Sequence, residues 1–364
     1  MKKNNLYNSP SKVSFCKICV MSNQRPSAIP EFKHTKDKSF HKEYNVNSDA
    51  ILNISNSYGN VDIVSWNENR IVIDIKITVN GSNEEKVQKR LDAIDVEFSA
   101  SNTSVTAKTI FKKKSSWSWF GSNNNSTMKI NYTIKMPVTN SLDLNNDYGA
   151  INLNKLDGKA TINCDYGQLI IGELNANDNS LNFDYTTNST IEYMNSGKIN
   201  ADYSGFTLDK TETLVLNADY TNSSIGEVNE IEYNCDYGKV IIDTVTNLNG
   251  QGDYINHLIG SVNGNLSIVA DYGSIKIEHI TSSAKDENIQ ADYTGIKLGY
   301  DSNYNFDFTI NLQYSSLKGE NDITVKNTSK NNSSEKYSGY HGTEGTGNLL
   351  TINSDYGGVT LNRN

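Results

Sequence analysis

The chain has 364 residues, with 42 acidic side chains against 33 basic ones, a net charge of −9 and a mean hydropathy of −0.57. No run of 18 apolar residues occurs, which excludes a membrane-spanning helix, and four cysteines are too few for a disulfide-stapled miniprotein. The acidic balance argues against a nucleic-acid partner.

Residues 1–40 differ from the rest and read as a disordered or foreign leader. Three of the four prolines (Pro10, Pro26, Pro30) and the pair Cys16-Lys-Ile-Cys19 lie here. Lys2 and Lys3 could open an export signal, but Asn4 to Ser14 is polar, so no signal peptide is visible. Cys16 and Cys19 have the spacing of half a zinc site without a second pair to close it; no metal or other cofactor is expected.

From 41 to 137 a small β-rich domain with one helix is expected. Leu52–Ile54 and Val61–Val64 alternate as half-buried strands around the turn Ser57-Tyr58-Gly59-Asn60, and Ile71–Val79 continues the pattern. A helix over 82–94 follows. Ser82 and Glu85 have capping-box spacing, and Val87, Leu91 and Ile94 form one stripe. Val96–Phe98, Val105–Phe111 and Met128–Met136 resume strand character. Between the last two, a Lys-rich segment carries Trp117 and Trp119, which read either as a binding tip or as incidental aromatics on a hairpin end.

Residues 138–364 are organised by repetition. The dipeptide Asp-Tyr begins at Asp147, Asp165, Asp184, Asp202, Asp219, Asp236, Asp253, Asp271, Asp292 and Asp355. Neighbours are spaced 17 to 21 residues apart up to Asp292, and the last interval of 63 is three times 21. Tyr314 falls 21 after Tyr293, so the register is expected to run on through a degenerate coil. Apolar residues alternate before each Asp-Tyr and again after it, with a parity change between. A turn is therefore expected at Asp-Tyr-Gly, with Gly149, Gly167, Gly238, Gly273 and Gly357 supplying positive φ. This pattern predicts an all-β fold, a single-stranded parallel β-helix (β-solenoid) of about 17–21 residues per coil stacked at about 4.8 Å. The Ser/Asn/Gly-rich stretch 327–348 is expected to be a loose loop before a last strand at Leu349–Asn353.

Stacked coils turn each repeated position into a column. An Asn column two residues before each Asp is expected to bond coil to coil. An Asp column needs compensation for like charges, either by capping the corner's own backbone N–H groups or by Ca²⁺. The Tyr column (Tyr148, Tyr166, Tyr185, Tyr203, Tyr220, Tyr237, Tyr254, Tyr272, Tyr293) forms a binding strip if its rings point outward. Inward rings would fill the corner, which is the default reading. Cys164 and Cys235 occupy equivalent inward positions too far apart to pair, so two free buried thiols are expected. Nothing resembles a catalytic centre, and a non-enzymatic protein is expected.

Two resemblances follow from these residues. Phe15–His34 (FCKICVMSNQRPSAIPEFKH) resembles the opening of the N-acetyl sugar amidotransferases, but their Ser-Gly-Gly-x-Asp-Ser nucleotide loop is missing. A remnant of such an enzyme fused to another domain is what that likeness would imply. From His41 to Asn364, the recurrent Asn-x-Asp-Tyr-Gly together with Asn53-Ile-Ser-Asn-Ser-Tyr-Gly-Asn-Val-Asp62 resembles the adhesin family of DUF4097 type from Bacteroidetes-like bacteria. That resemblance implies a cell-surface or envelope adhesin, with a glycan or cell-surface component as partner and an envelope or extracellular location. A purely structural envelope scaffold is the alternative.

Overall fold

The computed structural model describes residues 33–112 and 126–364. Most of the leader, with Cys16 and Cys19, and the Trp117/Trp119 segment lie outside the described residues. The rest is mostly β, with one α-helix and a single long, largely parallel sheet.

Between Ser141 and Asp292 each pass of the chain lies in parallel register on the one before. Leu142–Asp147 pairs with Ala160–Asp165, Thr161–Asp165 pairs with Ser180–Asp184, and so on through Leu266–Asp271 and Glu287–Asp292. A second row after the corner runs alongside, from Ala150–Leu156 through Gln168–Leu174 to Gly295–Tyr300. Every Asp of the repeat thus pairs with the Asp of the next pass wherever both lie in strand. The inward side chains are the alternating apolar ones: Ile162, Cys164, Leu169, Ile171 and Leu174 in one pass are all buried. No pass can bury these alone, so the neighbours create the core, at roughly 1.5–3 kcal/mol per large aliphatic side chain.

The strands of 41–137 continue this sheet without a break. Ile51–Ser57 pairs in parallel with Ser141–Asp147, and Val61–Ile63 with Ile151–Leu153. Beyond them, strand direction reverses. Arg70–Gly81 runs antiparallel to both His34–Asn45 and Ser126–Pro137, and Ile94–Ala100 antiparallel to Ser104–Phe111. The first described strand, His34–Asn45, begins before residue 40. Helix α1 (Glu84–Asp92) buries Val87 and Leu91 and packs over the His34–Asn45 and Arg70–Gly81 strands. Its cap is Asn83, whose side chain accepts the Lys86 N–H, so Ser82 plays no part in a capping box.

The other end departs from the sequence expectation in two ways. Tyr314 is not the next pass after Tyr293. The final strands, Leu349–Asp355 and Val359–Arg363, slide in between: Leu349–Asp355 pairs with Glu287–Asp292 on one side and with Phe306–Gln313 on the other. The order in space is therefore Tyr293, Tyr356, Tyr314. Residues 327–348 are also not one loose loop. Thr324–Lys330 and Ser334–His341 form an antiparallel hairpin, and Ser334–His341 pairs along Phe306–Gln313. Composition misled here, because Tyr337 and His341 point inward at strand spacing and are buried. At both ends antiparallel strands cover what would otherwise be an open parallel edge, the usual hazard for edge-to-edge association.

Candidate functional site

The corner of each pass carries the feature that stands out. Tyr58, Tyr148, Tyr166, Tyr185, Tyr203, Tyr220, Tyr237, Tyr254, Tyr272, Tyr293, Tyr314 and Tyr356 all have φ between 49° and 66°. The left-handed turn residue is thus the tyrosine, not the glycine after it. A bulky L-residue there costs about 1–2 kcal/mol. The glycine has a different reason. A Cβ on Gly149, Gly167, Gly238, Gly273 or Gly357 would lie 2.0–2.2 Å from a carbonyl oxygen of the adjoining pass. Where a hydroxyl residue replaces it, as at Ser204, Thr221 and Thr294, the side chain is buried and donates to a carbonyl such as Ala201 O, 2.9 Å from Thr221 Oγ1.

This backbone turn places Asp and Tyr outward in succession, which resolves the parity change. It also stitches neighbouring passes together. The Tyr148 N–H donates to Asp165 O, and the same bond recurs from pass to pass, up to Tyr293 N–H to Asp355 O, at 2.8–3.1 Å. In the reverse sense, the Asp184 N–H donates to the Asp165 carboxylate, and Asp202, Asp219, Asp236 and Asp253 repeat the bond at 2.8–3.1 Å. The Asp column therefore caps the next pass's N–H and not its own corner's. At these five carboxylates the hydrogen bond offsets the crowding of like charges. Burial and the neighbouring carboxylates still push Asp253 and Asp292 upward, as burial does for Asp184. Among the described residues no three His, Cys, Asp or Glu side chains converge as metal ligands.

The Asn column links passes as expected. Asn163, Asn182, Asn200 and Asn217 each donate to the preceding Asn oxygen at 2.5–2.9 Å. It lapses at Gln251, Val269 and Gln290, and Asn311 donates to Asn353 at the far end.

The Tyr rings point outward, against the default reading of a filled corner. Tyr148 through Tyr356 are 45–58% exposed, while Tyr58 is half-buried with its ring edge-on to Phe111. Twelve rings form one stack, with centroids 4.7–5.1 Å apart and planes within 14° of parallel. The column is about 50 Å long. Each ring largely covers its neighbour's face. What the column offers to solvent is a comb of ring edges, which carry the positive end of the aromatic quadrupole, and phenolic hydroxyls. Each stacked contact contributes about 0.5–1.5 kcal/mol, enough to offset the left-handed backbone. The sequence did not reveal this geometry, since the parity change hid the ring direction.

Inside, two positions break the apolar pattern. Tyr233 replaces an aliphatic residue, and its hydroxyl bonds His257 Nδ1 at 2.6 Å in the core. The opposing Gly250 makes room, since a Cβ there would meet the Tyr233 ring at 2.2 Å. Burial holds the imidazole at about 4, so it is neutral at physiological pH. Cys164 and Cys235 are free and buried, and burial pushes both thiols up to about 12. In the native protein both are expected to resist Ellman's reagent for as long as the fold holds and to react fully in denaturant. The test is read in a Cys16→Ser/Cys19→Ser background, where rapid native labelling after a further Cys164→Ser or Cys235→Ser exchange would show the remaining thiol to be accessible.

No family model matches the chain, and no curated protein matches it. Among solved structures it is similar to a "putative adhesin" from Parabacteroides distasonis, at 10% identity and a TM-score of 0.31, over 90% of this chain and 97% of that one. A "putative lipid binding protein" from the same organism aligns at 11% identity and a TM-score of 0.32, over 89% and 96%. A "putative cell adhesion protein" from Clostridium sporogenes aligns at 10% identity and a TM-score of 0.19, over 91% and 100%. The likeness is thus to solved structures described in these words, and no family model places the chain in the DUF4097 family.

Proposed function

We propose that the chain is a β-solenoid closed by antiparallel caps, and that it is a non-catalytic binder of oxygen-rich polymers, foremost glycans, at a cell surface or envelope. The single observation behind this reading is the outward column of stacked tyrosines. Asn or Gly would take the left-handed corner at little backbone cost, yet these corners carry a ring that is about half exposed. The comb presents regularly spaced O–H donors and electropositive ring edges. Each contact is weak, and a polymer lying along the column engages many at once, so avidity supplies the affinity.

The test uses three adjacent positions in mid-column. Tyr203→Phe/Tyr220→Phe/Tyr237→Phe keeps the stack and removes hydroxyls. Tyr203→Asn/Tyr220→Asn/Tyr237→Asn removes the rings with a residue that tolerates positive φ, so the fold survives. On an array of immobilised polysaccharides, retention is expected to fall several-fold for the Phe variant and to be abolished for the Asn variant, with circular dichroism unchanged. Equal retention of wild type and Asn variant, or no retention of the wild type by any polysaccharide, overturns the reading.

A further inference from the structure

Two and four residues after the tyrosine, the outward positions form two further columns on the adjoining face. Along most of the stack the fourth position is uncharged: Asn152, Ile170, Thr207, Ser224, Ile241 and Leu258. In the last passes it becomes Lys276, Lys297, Thr360 and Lys318, placed side by side by the pairings Lys276 to Lys297, Lys297 to Thr360 and Thr360 to Lys318. Lys276 is paired with Glu278, while Lys297 and Lys318 enter no ion pair among the described residues. Like charges opposite one another on a sheet are unfavourable unless something answers them, and this cluster stands on a protein of net charge −9.

The second position, beside these lysines, reads Ser274, Gly295, Gly358 and Ser316. Gly295 and Gly358 have negative φ or extended backbone, and a Cβ on either would meet nothing within 4 Å. Neither turn geometry nor packing asks for glycine at these two points. Their effect is to leave a groove of about 380 Å³, with Ile275, Ile296 and Val359 beneath and the lysines along one side.

We infer that this groove is a binding site for an acidic glycan, a polymer carrying carboxylate or sulfate groups, which runs along the stack with its anionic groups on Lys297 and Lys318. The inference deepens the glycan-binding reading and rests on it for the kind of polymer, yet it stands on side chains the tyrosine column does not include. The groove floor is lined by glycine and serine, so it accepts a sugar ring edge-on. The ammonium groups select the charge.

Polygalacturonate and its fully methyl-esterified form provide the probes, since they share a backbone and differ in charge. Wild type is expected to bind polygalacturonate more tightly, and the preference is expected to shrink with added salt. Lys276→Gln/Lys297→Gln/Lys318→Gln is expected to lose about tenfold in affinity for polygalacturonate, from exposed charge contacts of a few tenths to one kcal/mol each. Its binding to the ester stays unchanged. Gly295→Ile/Gly358→Ile fills the groove, with nothing within 4 Å of either new Cβ, and replaces one strand glycine and one just before a strand. It is expected to fold at least as well as wild type and to lose polygalacturonate binding. If both variants bind polygalacturonate as wild type does while the mid-column Asn variant does not, the groove is not the site and the column reading stands. If wild type binds neither polymer, both fall. Loss of binding to phosphatidylglycerol vesicles equal to the loss for polygalacturonate would show a bare cationic patch, and would overturn the glycan assignment.

Discussion

A chain ending at Asn348 is expected to melt far below the full-length protein and to become protease-sensitive between about residues 301 and 348. In a simple stack of repeats, removing the last one trims an end and leaves the rest nearly intact. Here the last strands in sequence are not last in space. Leu349–Asp355 and Val359–Arg363 lie between the Glu287–Asp292 and Gly295–Tyr300 pass on one side and Phe306–Gln313 with Leu317–Lys318 on the other. Removing them strips two rows of hydrogen bonds at once. It also exposes the partners of Leu350, Ile352, Val359 and Leu361, all buried. Four such side chains represent roughly 6–12 kcal/mol of gross burial, comparable to the whole stability of a typical domain.

A 16-residue peptide spanning 349–364 supplies the direct check. Because the missing element is an extended segment that seats between preformed edges, adding the peptide in trans is expected to restore the melting temperature and the protease resistance. The opposing outcome is specific. Tyr314 follows Tyr293 by 21 residues, a spacing the repeats themselves use, so the Phe306–Gln313 strand could close directly onto Glu287–Asp292. Were that closure cheap, truncation would change the melting temperature by a few degrees only and the peptide would not bind.

That same spacing explains what the sequence conceals. The stacking period is legible because Asp and Tyr stay fixed while the alternation around them repeats. The insertion of the final strands is invisible because a repeat at the right interval looks the same whether the chain takes it in order or leaves a gap to be filled later. The cap hairpin at Thr324–Lys330 and Ser334–His341 is hidden by its Ser/Asn composition, with only Tyr337 and His341 marking the buried side. The tyrosine column is named correctly by its spacing, but its direction depends on a left-handed backbone that sequence rules reserve for Gly and Asn. The lysine groove was available in principle. Lys276, Lys297 and Lys318 are each four residues after a column tyrosine and 21 apart, a second periodicity beneath the first. What the sequence does not show is that Lys276 and Lys297 pair directly while Thr360 comes between Lys297 and Lys318.

The other large effect concerns Glu287, and it has the opposite sign: replacement by leucine is expected to stabilise the protein. Glu287 occupies an inward position between Leu266 and Leu350, where its equivalents in neighbouring passes include Leu214, Ile231 and Leu248. The residue is 1% exposed, and neither carboxyl oxygen has a hydrogen-bond partner among the described residues. Burial, with a smaller contribution from Asp286, holds its carboxyl well above the ordinary 4.5, so folding favours its protonated form. The folded state therefore binds a proton that the unfolded state releases above about 4.5. Stability from this site is intact below that pH and falls as pH rises, by about 1.4 kcal/mol per unit until the folded carboxyl itself ionises. Glu287→Leu removes that loss and extends the leucine column, for an expected gain of about 2–4 kcal/mol at pH 7 that narrows towards pH 4.5. Glu287→Gln isolates the proton from the packing. It has no charge to lose but keeps unpartnered polar atoms, so it is expected to cancel the pH dependence with a smaller gain. Denaturant melts of the three proteins at pH 4.5, 6 and 7.5 decide the matter. A leucine variant less stable than wild type at pH 7.5, or one whose advantage ignores pH, would mean that the carboxyl finds a partner in the folded state.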